Sequence, residues 1–146
     1  MSYGIMFWVN SSHSSVIFQM QRRVMRIIMG YGYRESCRVL FKELKILTLS
    51  SQYIFYLLLF VVNNRDYFVS NSVYHNINYR QKNDLHLPQV SLAMYQMRFY
   101  YSGIKIFNGL PKAIMDISRK RKKFKTALKH YLLSHSLYSL GTFFSI

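Results

Sequence analysis

The feature that most constrains the fold is the stretch Tyr53 to Val62, an unbroken apolar run of ten residues. A membrane-spanning helix needs about 20 such residues, so the run is too short to cross a bilayer. Gln52 precedes it and Asn63-Asn64-Arg65 follow, ordinary neighbours of a helix end. A helix that is apolar on all sides has to be enclosed by other elements. The sequence around it supplies further helices.

Residues 13–30 carry a helical period. Val16, Met20, Val24 and Ile27 fall on one side, widened by Ile17 and Ile28, while Gln19, Arg22, Arg23 and Arg26 fill the opposite arc. The expectation is an inward apolar stripe and an outward basic face, capped by Ser12 or Ser14 and ended by Gly30. Ser36 is placed to cap a second helix through about Lys45, with Cys37, Leu40, Phe41 and Leu44 inside and Arg38, Lys42 and Lys45 outside. Cys37 then reads as a small core residue. Ser50 or Ser51 opens the apolar third helix.

Between Tyr67 and Leu110 the period fades. The segment from Ser70-Asn71-Ser72 to Asp84 is polar and loop-like, and Leu85-His86-Leu87-Pro88 alternates briefly. Met94 to Phe107 is rich in aromatics and reads as a strand pair or an irregular arm. Asn108-Gly109-Leu110-Pro111 marks a turn. A last helix is expected from Asp116 or Ser118 to about Ser134, with Phe124, Leu128, Tyr131, Leu132 and His135 on its apolar face. The expected fold class is mainly α, a small bundle of about four helices with an irregular or short-β segment near residues 67–110. Residues 1–66 form one helical region, and 67–146 carry the irregular arm and the basic terminal helix, together expected as one compact unit.

Charge narrows the function. The 146 residues include 20 Lys plus Arg against 5 Asp plus Glu, a formal charge of +15. Such an imbalance implies an anionic partner, nucleic acid or a negatively charged lipid surface. An AT-rich coding sequence would also enrich Lys and aromatics, but it does not account for the scarcity of acids. The single cysteine excludes a disulfide framework and any cysteine-rich zinc module. His13, His75, His86, His130 and His135 are scattered, and Gly30-Tyr31-Gly32 lacks the further glycine and lysine of a phosphate loop. Ser134-His135-Ser136 is a local coincidence, and Asp66, Asp84 and Asp116 are distant in sequence. No catalytic centre is recognisable in this chain.

The cations are clustered. Seven of the 20 lie between Arg119 and Lys129 (Arg119, Lys120, Arg121, Lys122, Lys123, Lys125 and Lys129), and seven more between Arg22 and Lys45. Arg22, Arg23, Arg26, Arg38 and Lys42, together with the seven from Arg119 to Lys129, are the candidate nucleic-acid-binding residues. Lys122, Lys125 and Lys129 line one helix flank. Positive charge at a helix amino end opposes the macrodipole, which favours either a nearby anion or a solvated face with counterions. Neutralising 6–10 phosphates would give strong salt dependence and little sequence preference. Tyr79 beside Arg80, and Phe99-Tyr100-Tyr101 after Arg98, are placed either to stack on unpaired bases or to fill the core. The amino terminus has an apolar patch without a basic n-region or long apolar h-region, so the expected location is intracellular, nuclear or cytoplasmic, not secreted.

Beyond these readings, the order of segments resembles the carboxy-terminal end of insect non-LTR retrotransposon reverse transcriptases of the jockey type. The matching pieces are Tyr3-Gly4-Ile5 with Phe7-Trp8 and Asn10-Ser11, then Gln21-Arg22-Arg23 with Arg26-Ile27-Ile28. Next come Ser36-Cys37-Arg38 and Leu40-Phe41-Lys42-Glu43-Leu44-Lys45-Ile46-Leu47-Thr48-Leu49. His75, Asn78, Arg80, Leu85 and Leu87-Pro88 follow, then Tyr101, Gly103-Ile104-Lys105, Phe107-Asn108, Leu110-Pro111, Phe124-Lys125 and Leu128-Lys129.

The resemblance spans about residues 3–139 and implies a fragment: residues 1–66 would be thumb-like and 67–146 the post-polymerase segment. The catalytic aspartates and their magnesium would belong to a palm absent from this chain, so no cofactor and no polymerase activity is expected of these residues alone. The implied partners are RNA or an RNA–DNA duplex and the missing palm, with the oligomeric state left open. Tyr79 stands where the family usually has a small residue, Val39 and Ser50 where it often has proline, and Leu140-Gly141-Thr142 lacks the usual acids. These departures would suit a decaying copy opened at an internal Met1. A basic peripheral membrane protein and a translated remnant without a selected role are the competing readings.

Overall fold

The computed structural model describes residues 4–5, 9, 11–68, 70, 73, 84–86 and 96–146. Among them the secondary structure is helical: α1 (Ser14–Met29), α2 (Cys37–Glu43), α3 (Leu49–Asn63), α4 (Gln96–Asn108), α5 (Lys112–Asp116), α6 (Arg121–His135) and α7 (Leu140–Phe144), with short 3₁₀ turns at Arg65–Tyr67 and Ile117–Arg119. The mainly helical class holds, with more helices than the four expected. The chain divides into two compact units, residues 1–56 with 126–146, and residues 57–125.

In the first unit, α1 ends as its sequence requires. Gly30 adopts φ 66°, and the amides of Gly30 and Tyr31 donate to the carbonyls of Ile27 and Arg26, closing the last turn. Ser36 caps α2 by accepting from the Arg38 amide. Met25, Cys37, Leu40 and Phe41 form a buried cluster, with Phe18, Met29, Leu44 and Tyr138 packed against it. The Phe18 ring meets Tyr138 edge-on at 5.0 Å, a favoured aromatic geometry. Thr48 starts α3 in place of Ser50 or Ser51. Its buried Oγ1 accepts from the Ser51 amide at 3.2 Å, and its hydroxyl also meets the Leu137 carbonyl.

The face that α1 buries reverses the expectation. Phe18, Met25 and Met29 turn inward, and Val16, Met20, Val24, Ile27 and Ile28 lie 47, 61, 52, 70 and 62 % exposed. Arg22 and Arg26 were expected outside but are half-buried. The reason is aromatic and alkyl packing. The Arg22 guanidinium sits 5.1 Å over the Phe18 ring, so its stem joins the buried face while Phe18 engages Phe41 and Tyr138.

In the second unit, Leu57, Leu58, Val61 and Val62 of α3 are buried. The aromatic segment expected as a strand pair or arm is α4 from Gln96 onward. Ile104 and Phe107 are buried on it, and Gly103 lets it approach α3 so closely that a Cβ there would stand 2.9 Å from Val61 Cγ2. Phe60 and Phe99 meet edge-on at 5.1 Å.

The expected turn at Asn108 forms, and its side chain adds an anchor. Asn108 Oδ1 accepts from the Leu85 amide at 2.8 Å, and Nδ2 donates to the Leu85 carbonyl at 2.9 Å. Leu85 also makes an isolated antiparallel bridge with Ser70; no strand occurs among the described residues. The polar stretch 74–83, with Tyr79 and Arg80, lies outside the described residues, as do Leu87 and Pro88.

Candidate nucleic-acid interface

Helix α6 starts later than expected. Lys112–Asp116 is a helix of its own, followed by the 3₁₀ turn Ile117–Arg119, and α6 begins at Arg121. Ser118 explains the break: it is buried, and its hydroxyl accepts from the Arg65 guanidinium at 2.7 Å. The chain re-enters helix at Lys120, whose carbonyl accepts from the Phe124 amide at 2.9 Å. Phe124, Leu128 and Leu132 then fall four apart and are fully buried, which fixes the rotation of the helix.

That rotation puts the cations outside. Arg119, Lys120, Arg121, Lys122, Lys123, Lys125 and Lys129 are all exposed, and the first turn of α6 holds no acidic residue. Lys122, Lys125 and Lys129 share a flank and span about 10 Å along the axis at 1.5 Å per residue. The like charges add to the positive end of the helix dipole, so the amino end of α6 is a focus of positive potential.

One contributor carries no local sequence signal. Arg65 lines a groove of about 630 Å³ with Asp66, Ser118, Asp116 and Arg119. Its guanidinium lies 5.5 Å from the Phe107 ring centroid. Burial first, and the Arg119 charge second, lower its pKa from the ordinary value, though an arginine stays charged at any physiological pH. Arg65 and Ser118 lie 53 residues apart, so their contact could not have been read from the sequence.

The cations of α1 and α2 behave differently. Arg26 donates from Nε and NH2 to the Glu35 carbonyl at 3.4 and 3.2 Å and lies over Tyr33, holding the loop after Gly30. Arg38 is exposed but stacks over Tyr138 at 4.7 Å. Arg23 and Lys42 are exposed. Two of the aromatics proposed for base stacking are engaged within the protein: Phe99 against Phe60, and Tyr100 stacked on Phe68 at 4.5 Å with its hydroxyl donating to the Tyr67 carbonyl; Tyr101 is half-buried, and Tyr79 lies outside the described residues.

Among the described residues no group of three or more His, Cys, Asp or Glu is placed to hold a metal ion. His135 Nδ1 stands 2.8 Å from the Tyr131 carbonyl and 3.0 Å from Ser134 Oγ. Among the described residues no helix is long and apolar enough to cross a membrane. No protein-family model, no curated protein and no solved structure matches this chain.

Proposed function

We propose that the chain grips the backbone of RNA or an RNA–DNA duplex without reading its sequence, through the amino end of α6. One observation carries this reading: seven cations on and just before one helix are all exposed, with no acid in its first turn. Guanidinium and ammonium groups on such a face contact phosphates, which are alike in every sequence. The resemblance in sequence, with its segments in the family's order, supports a more specific identity, the thumb and post-polymerase part of a jockey-type non-LTR retrotransposon reverse transcriptase. In that reading catalysis and its metal belong to a palm outside this chain, and the place of action is intracellular, nuclear or cytoplasmic.

Replacing Lys122, Lys125 and Lys129 with Ala tests the interface. Each lost phosphate contact removes about 0.7–0.9 from the slope of log K against log salt, so the triple variant should lose about two units and bind more weakly on every sequence. An unchanged slope would remove α6 from the interface.

A further inference from the structure

We infer that the outer face of α1 docks on an anionic lipid bilayer. This goes beyond the nucleic-acid reading and uses a different surface. Val16, Met20, Val24, Ile27 and Ile28 form one continuous apolar arc, each between 47 and 70 % exposed, on a helix of 16 residues. Single exposed apolar side chains are ordinary, but five on one face form a patch of the kind that marks an interaction surface.

Charge selects the occupant. The arc is edged by Arg23 and Arg26, and the sequence of α1 contains three arginines and no acid. A groove of about 670 Å³ runs along that edge, lined by Val16, Met20, Ile27, Arg23, Arg26 and Tyr33. Arg22 borders the same groove, and its Nε is buried without a hydrogen-bond partner. Tyr31 and Tyr33, 40 and 89 % exposed, stand at the carboxy end of the helix. Apolar side chains on one arc, arginines at its margin and aromatics with a polar tip are the components of a helix lying in a bilayer interface, with acyl chains on the arc and lipid phosphates on the arginines. A second copy of the chain would bring another +15 charge and a second row of arginines against the first.

The test is flotation of the full chain with vesicles of equal parts phosphatidylcholine and phosphatidylserine, and with phosphatidylcholine alone. The wild type should float with the anionic vesicles and not with the neutral ones. The variant M20S/V24S/I27S changes exposed residues only, so circular dichroism and RNA filter binding should stay as in the wild type. Its flotation should fall at least about tenfold. The variant M20L/V24I/I27L should float like the wild type. Equal flotation of the serine variant would overturn the inference. So would a wild type that fails to float, whether it forms a dimer that the serine variant dissolves or binds an acidic amphipathic peptide that the serine variant does not. Because RNA binding is read separately, failure here leaves the α6 interface standing, and failure there leaves this one.

Discussion

Thr48 joins separate segments of the first unit through one buried hydroxyl, with Ser51 and the Leu137 carbonyl as its partners. Thr48→Val keeps the shape and removes the cap, and should cost about 1–3 kcal/mol in urea unfolding. Gly103→Val drives a branched side chain into Val61 and should cost about 1–3 kcal/mol, because the closest approach leaves no room for even one carbon. Burial raises the pKa of Tyr100, of Tyr131 and of Tyr138, the last also through Cys37 and against the opposing pull of Arg38, Arg22 and Arg26. In the unfolded chain these phenols ionise near pH 10, so above that pH the unfolded state holds fewer protons than the folded one. Stability is therefore complete below about pH 10 and falls as pH rises beyond it, and Tyr131→Phe should flatten the fall in an alkaline titration of the unfolding midpoint.

At the scale of elements, what the sequence disclosed depended on how many patterns competed in one segment. Helix α6 was legible in its core row, Phe124, Leu128 and Leu132, while of the rest of the expected face Tyr131 is half-buried and His135 is exposed. Helix α1 carries two apolar arcs, and the wider one, Val16 to Ile28, is the exposed one. The narrower arc of Phe18, Met25 and Met29 wins because Phe41 and Tyr138 complete it, and those contacts lie far away in sequence. In α4 the aromatic content pointed to strands, yet Tyr100, Gly103, Ile104 and Phe107 already stood at helical spacing. Positive charge at the head of α6 leads to paired expectations of opposite sign. Arg121→Glu with Lys123→Glu should raise thermal stability by about 0.3–1 kcal/mol per site, since acids suit a helix amino end, while weakening RNA binding. A drop in both stability and binding would mean that the cations support the fold.

Across the whole molecule, a charge of +15 on 146 residues repels itself in the compact state. Added salt should raise the melting temperature, and a polyanion that binds only the folded chain should raise it further, by mass action. The basic clusters were readable from the sequence as clusters; that Arg22, Arg26 and Arg38 lie over the rings of Phe18, Tyr33 and Tyr138 was not, because the fold brings those rings to them. The most direct test of the central claim is the salt dependence of wild-type binding to single-stranded RNAs of unlike sequence. Seven engaged cations predict a slope of log K against log salt of about −5, the same for each sequence. A slope shallower than about −2, or an affinity that follows the base sequence, would contradict a backbone grip by α6.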